Sequence, residues 1–252
     1  ILESPTIHEA DLAVVPREAR WMRAGTWDFA SIFDAFRAMQ AKLPDSMRVD
    51  VAAKMQQAKQ VIGVDLETGL IDAIGPLWIG YSDLSTQTPF GPGLCVVNKT
   101  RDSQTLAASL QKLQEYVNAN LVEPDSPMRF STVKSGEIEV HSFNLMMLSP
   151  SWAVIDEHLY IAATPQAISS AAIYKQQEGG GITDNPKYQK IRAQYPEKVT
   201  GLMFGDLAAS APPMYQMIAM AANMLAAQNP QLGRQVMSVL PPLPALQPYL
   251  KP

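Results

Sequence analysis

Cysteine, histidine and charge are all scarce in this chain of 252 residues. Charged residues make up 17% of it, whereas about 25% is usual in globular domains. The net charge is −4, and Lys and Arg form no run. Because nucleic-acid binding needs clustered basic residues, we expect no nucleic-acid partner. The one cysteine, Cys95, cannot form an internal disulfide, and its apolar sequence neighbours predict a buried strand residue.

The signatures of membrane spans and of common catalytic folds are also missing. No stretch approaches the roughly 20 apolar residues of a spanning helix. Gly179-Gly180-Gly181 lacks the Lys-Ser/Thr ending of a phosphate-binding loop, no Gly-x-Ser-x-Gly motif occurs, and Asn98-Lys99-Thr100 matches a glycosylation sequon by spacing alone. We therefore expect no cofactor. Because the chain begins at Ile1 rather than Met, we expect any membrane anchor to lie outside it.

Strand patterns recur eight times along the chain, mostly bounded by turn residues. Between residues 128 and 163 the pattern alternates strictly, and there Ser135-Gly136 and Asp156-Glu157 predict two tight hairpin turns. Consecutive strands joined by such turns predict an antiparallel sheet. Together with the helical patterns between them, they predict an α+β fold whose helices pack mainly on one face of the sheet.

One domain is predicted to hold most of the chain. The predicted divisions are a loose N-terminal arm over 1–14, a single α+β domain over 15–240, and a Pro-rich C-terminal segment over 241–252. A weak internal repeat suggests two related halves, 15–123 and 128–240. It pairs Trp21–Ala35 with Leu202–Gln216, and Leu94–Leu110 with Leu159–Ile173, each a strand, a capping residue and a helix.

Two helices carry pronounced apolar patterns. After Asp28, the residues Phe29, Ile32, Phe33, Phe36, Met39 and Leu43 recur at helical spacing. The helix after Pro213 carries Met214, Met217, Met220 and Met224. Methionine faces serve as adaptable binding surfaces and also as core, so we predict that these four residues bind a partner, with a buried core helix as the alternative. No Lys or Arg accompanies them, which argues against a helix lying on a membrane surface.

A candidate metal site lies on the strand that follows Ser135-Gly136. Alternation places Glu137, Glu139 and His141 on one face of this strand. Two carboxylates and an imidazole could hold a divalent cation, and the alternative is a solvated strand face. The other histidines suggest no site, because His8 lies in the predicted arm and His158 follows a turn.

Acidic residues also gather near the short helix after Gly63. Asp65 and Glu67 have the positions of a helix cap and a first-turn carboxylate, which the helix dipole favours. Capping is therefore the simpler interpretation. The catalytic alternative is a hydrolase in which Asp65 and Glu67 converge with Glu139 and His141 in one cleft.

Four short motifs occur in order along the chain. They are Val15-Pro16, Gly63-Val64-Asp65-Leu66, Trp152–Ala163 with its turn at Asp156, and Pro241-Pro242-Leu243. Together they resemble an uncharacterised bacterial family, a domain of unknown function in the cell envelope, although that family usually has Asp-Gly where this chain has Asp156-Glu157. The resemblance implies an N-terminal anchor, an α+β extracytoplasmic body and a periplasmic or envelope location. It implies no catalytic residues.

The sequence therefore favours a non-enzymatic, envelope-associated binding or structural domain. It would act through protein–protein contacts, with a protein partner or by self-association, and would meet a membrane only through a segment outside this chain. Two alternatives remain open. One is the hydrolase, and the other is a carrier of a lipid or small ligand, which needs an apolar cavity between sheet and helices.

Overall fold

One antiparallel sheet of eight strands organises the chain, and the predicted α+β class is confirmed. The computed structural model describes residues 5–44, 50–88, 93–123, 125–145, 148–176, 180–239, 241–246 and 248. The strands are β1 (Trp21–Thr26), β2 (Leu77–Ser82), β3 (Cys95–Lys99), β4 (Phe130–Ser135), β5 (Ile138–Phe143), β6 (Ser151–Ile155), β7 (His158–Ala162) and β8 (Gly201–Gly205). Their order across the sheet is β4-β5-β6-β7-β3-β2-β1-β8.

The helices lie between β1 and β2, between β3 and β4, between β7 and β8, and after β8, and several are capped by an aspartate. They are α1 (Phe29–Gln40), α2 (Val51–Ile62), α3 (Ser103–Asn120), α4 (Pro165–Gln176), α5 (Pro186–Arg192), α6 (Leu207–Gln228), α7 (Pro230–Val239) and α8 (Leu243–Leu246), with 3-10 helices at Glu9–Val14 and Ile182–Asp184 and a π-helical turn at Glu67–Ile71. The side chains of Asp28, Asp102 and Asp206 each accept a backbone N–H three residues later. Such caps satisfy N–H groups that a helix leaves unpaired.

The two hairpins differ in how well the sequence predicts their turns. Ser135 pairs with Ile138, so the first turn is Gly136-Glu137, one residue later than predicted. Gly136 has a φ of +64°, and glycine at the first central position is typical of a type II′ turn. The second turn is confirmed at Asp156-Glu157, with Asp156 at a φ of 53°.

Helical elements cover both faces of the sheet, rather than mainly one face as the sequence predicts. On the first face, α4, α5 and the N-terminal 3-10 helix bury the larger core, which includes Tyr81 and Tyr160. On the second face, α3 and the π-helical turn close a smaller core around Leu106 and Leu159. Over β8, β1 and β2 the second face is more open, and Met203 there is 65% exposed.

The predicted halves are joined in one continuous sheet. Strands β1 to β3 belong to the first half and β4 to β8 to the second, and β3 pairs with β7 at the middle. Strand β8 crosses the sheet to pair with β1. Helices α3 and α4 follow the two central strands but contact opposite faces. A two-fold axis perpendicular to the sheet would keep them on one face, so the two predicted halves do not place these helices alike.

The predicted loose arm is wrong for its described residues, 5–14. Ile7 donates its backbone N–H to the carbonyl of Val199 at 2.8 Å, and both Ile7 and Leu12 are buried in the larger core. The stretch combines a bridging residue, Ile7, with a short 3-10 helix, Glu9–Val14, so its buried residues follow neither a strand nor an α-helix period. Residues 1–4 lie outside the described residues.

The predicted C-terminal segment is described only in part. Residues 241–246 include the short helix α8, and 247 and 249–252 lie outside the described residues. In the described part of the chain, no helix is both long and apolar enough to cross a membrane.

Candidate binding surfaces and cavities

The four methionines that the sequence predicts to bind a partner lie along one side of α6. Met214, Met220 and Met224 have 47%, 39% and 60% of their surface exposed, and Met217 is half-buried. Ala222, on the opposite side of α6, is buried, and α6 also contacts α7. The buried-core alternative is therefore wrong. We call Met214, Met217, Met220 and Met224 the Met face.

The Met face is apolar and carries no charge. From Leu207 to Gly233 the sequence has no Asp, Glu, Lys or Arg. Ile218 and Leu225 border the face and are exposed as well. Contiguous apolar surface of this kind marks interaction sites in soluble proteins.

Helix α1 exposes a second apolar face. Phe29, Ile32, Phe36 and Met39, four residues of its predicted stripe, are all exposed, and no described residue of α1 is buried. The helix contacts the second face of the sheet through Phe29, whose ring meets that of Trp78 edge-on at 5.8 Å. The pattern that most strongly predicts a core-facing helix is thus left facing solvent.

An apolar cavity of about 330 Å³ lies where α6 meets the second face of the sheet. Its floor and walls include Trp21 of β1, Met203 of β8 and Leu94, and its helical side includes Leu207 and Met214. The ring of Trp21 lies against Gly80, since a Cβ atom added to Gly80 would be 3.4 Å from that ring. Cavities of several hundred Å³ with apolar walls are typical of small-ligand sites.

Two charged side chains lie at this cavity. Asp83 is already engaged, since its Oδ1 accepts hydrogen bonds from the Ser85 hydroxyl and the Thr86 backbone N–H. Arg20 also lines the cavity, and within the described part of the chain its guanidinium has no hydrogen bond or ion pair. The cavity therefore combines apolar walls with one cation that pairs with no residue the structure describes.

A second, more polar cavity of about 420 Å³ contains the predicted metal ligands. Glu137, Glu139 and His141 all line it, together with Trp152 and Asp156. The imidazole of His141 stacks on the indole of Trp152, with ring centroids 3.9 Å apart and planes 7° from parallel. The solvated-face alternative is wrong for His141, which is buried.

Hydrogen bonds determine which nitrogen of His141 carries its proton. Gln114 donates its Nε2–H to Thr132 Oγ1 at 3.2 Å, which turns its Oε1 toward His141. The Nδ1 of His141 lies 3.0 Å from that oxygen and 3.0 Å from Thr132 Oγ1. Nδ1 must therefore donate, and in the neutral ring Nε2 remains the acceptor.

The structure does not assemble the predicted metal site. Among the described residues, no three His, Cys, Asp or Glu side chains are grouped so that they could hold a metal ion. Glu139 lies 3.7 Å from Lys134 Nζ, and Glu137 belongs to the turn rather than to the strand. The physical reason is that Glu139 faces Lys134, and the ring of His141 is held by stacking and by hydrogen bonds.

The hydrolase residues are divided between two places. Asp65 accepts backbone N–H groups of Glu67 and Thr68 and contacts Lys59 Nζ at 3.0 Å, and the bond from Lys59 lowers the pKa of its carboxyl. Glu67 forms an ion pair with Arg37. Neither lines the polar cavity that holds Glu139 and His141. The hydrogen bonds that Asp65 accepts confirm its predicted role as a cap.

Cys95 is buried, as predicted. Burial raises the pKa of its thiol to about 12, and a thiol that stays protonated is a poor nucleophile.

Acidification should destabilise the fold through His141. Burial lowers its pKa from the ordinary value of 6.5, so the unfolded chain takes up the proton first. The free energy of unfolding must then fall as the pH drops through and below 6.5. Burial lowers the pKa of His158 too, and we expect His141→Gln to remove part of this loss. Urea unfolding at several pH values measures it.

The control for this prediction is His8→Gln, because His8 is exposed. It should leave the pH dependence as in the wild type. If His141→Gln also leaves it unchanged, His141 does not carry the proposed effect.

Comparisons with known proteins assign the chain to no family. No family model, curated protein or solved structure matches it. The fold class stands on the structure alone, as an α+β fold with an eight-stranded antiparallel sheet. The resemblance to an envelope family remains a prediction.

Sequence reasoning missed most of the apolar cavity. Trp21 of β1 and Met203 and Gly205 of β8 come from strands that are far apart in sequence, Arg20 directly precedes β1, and only Met214 was predicted. The available signal was the internal repeat, which pairs the β1–α1 segment with the β8–α6 segment. These strands are neighbours in the sheet.

Proposed function

We propose that this chain is a non-enzymatic binding domain that associates with a second copy of itself through the Met face. The observation that carries the proposal is the exposure of Met214, Met220 and Met224 on an uncharged helix. Burying a methionine side chain contributes about 1.5–3 kcal/mol, so the face has a large driving force for association.

Charge supports a second copy as the occupant. A face without charge does not repel an identical face, and a two-fold pair brings the same patch together on both copies. Methionine side chains are flexible and polarizable, so they can repack against each other. A partner recognised by charge would find none between Leu207 and Gly233.

An envelope location belongs to the same proposal and rests on the sequence resemblance alone. A domain held at a membrane by a segment outside this chain would be concentrated on a surface. A high local concentration at the membrane surface favours association between copies even when it is weak.

Amide hydrogen exchange of the wild-type chain tests the proposal. If copies pair through the Met face, exchange within residues 214–228 should slow as the protein concentration rises, because association protects the helix from local opening. Exchange within α3, which the proposal leaves outside the interface, should stay constant. Equal rates in α6 at all concentrations would count against the proposal.

A further inference from the structure

We propose that the apolar cavity between β1, β8 and α6 binds a small monocarboxylate with an unbranched apolar tail. The tail would lie against Trp21, Met203 and Met214, and the carboxylate would meet Arg20. This is a ligand site beyond the self-association proposed above, and of the Met face it uses Met214 alone.

The walls of the cavity select the tail. Trp21, Leu94, Met203 and Leu207 present indole, thioether and aliphatic surface. The volume of about 330 Å³ is at the lower end of the range for small-ligand sites. An apolar chain would remove this surface from water without leaving polar ligand atoms unpaired.

Arg20 selects the head group. A guanidinium offers planar, paired N–H donors that match a carboxylate, and Arg20 forms no ion pair with any residue that the structure describes. Asp83 does not neutralise Arg20 in place of a ligand. No ion pair joins the two residues, and Asp83 Oδ1 accepts hydrogen bonds within its own turn. Asp83 would disfavour an anion placed close to it, so the carboxylate is assigned to the Arg20 side.

Gly205 leaves the space that the tail would use. It belongs to β8 and lines the cavity, and a Cβ built there would be 3.9 Å from Cδ1 of the Trp21 ring. A larger side chain at this position can therefore enter the cavity without a backbone clash. Gly201, at the other end of the same strand, does not line the cavity.

Isothermal titration calorimetry with three ligands of equal chain length tests the head group. Decanoate, decanol and decylammonium are compared below the concentrations at which they form micelles. We expect decanoate to bind about ten-fold more tightly than decanol, as one charge-assisted hydrogen bond predicts, and decylammonium to bind more weakly still. In Arg20→Gln, decanoate should fall to the affinity of decanol.

Two variants with matched controls test the site. Gly205→Leu should abolish binding of decanoate and decanol by filling the cavity, whereas Gly201→Leu should leave it unchanged. Arg23→Gln is the control for Arg20→Gln and should match the wild type, because Arg23 is an exposed residue of β1 that does not line the cavity. Thermal unfolding of each variant shows that it is folded before it is titrated.

The inference is overturned if decanoate does not bind, if decanol binds as tightly as decanoate, or if Gly205→Leu retains binding. Its failure is distinct from failure of the proposed function. Met220 and Met224 lie outside the cavity, so a Met220→Asp/Met224→Asp variant should still bind decanoate with wild-type affinity.

Discussion

Replacing Met220 and Met224 together with aspartate is expected to weaken self-association by about a thousand-fold. The pair of copies would lose four methionine side chains from the interface, each contributing about 1 kcal/mol when partly buried. The new carboxylates would also face each other across the two-fold axis and repel. Sedimentation equilibrium over a wide concentration range gives the dissociation constants of variant and wild type.

The matched control is Leu121→Asp/Ile173→Asp. Leu121 and Ile173 are exposed apolar residues on other elements, so this variant adds the same charge while leaving the Met face intact. Its dissociation constant should stay within about two-fold of wild type, as surface changes usually have small effects. Equal weakening by both variants would show that net charge, not the Met face, controls association.

Asn98→Leu is expected to lower the free energy of unfolding by about 4 kcal/mol. Asn98 is fully buried. Its Nδ2 donates to the carbonyls of Gly75 at 2.8 Å and Leu77 at 2.9 Å, and its Oδ1 accepts the N–H of Gly75 at 3.1 Å. Leucine has a similar size and would leave these three backbone groups without partners. Denaturant unfolding measures the change.

Asn118→Leu is the control for that prediction. The amide of Asn118 makes two bonds of 2.9 Å to the backbone of Phe130, but the residue is only half-buried, so water can replace it. We expect a loss of about 1 kcal/mol. Similar losses in the two variants would contradict the argument from burial.

The burial of Asn98 also keeps the asparagine of the glycosylation sequon inside the folded chain.

The elements of the fold could be predicted because their signals are local. All eight strand patterns correspond to strands, and Asp28 caps its helix as the sequence predicts. Helix α6 begins at Leu207, before the predicted helix after Pro213. The sheet order could not be predicted, because pairs such as β3 with β7 and β1 with β8 join distant segments. Nothing in the local sequence of either strand specifies such a partner.

For the candidate sites too, local patterns could be predicted from the sequence and their surroundings could not. Helical spacing identifies the Met face but cannot tell whether it is buried, since burial depends on where the sheet ends. Strand alternation predicts that Glu137, Glu139 and His141 share a face. All three line one cavity, but among the described residues they form no metal site, because Glu139 faces Lys134 and the ring of His141 is held by its own contacts.

The central claim is that the wild-type chain pairs with itself, and the most direct test is its mass in solution. Sedimentation equilibrium of the unmodified chain should give a mass of 27.6 kDa at low concentration, rising to a plateau at twice that value as concentration increases. A mass that remains that of one chain at the highest concentration would contradict the account.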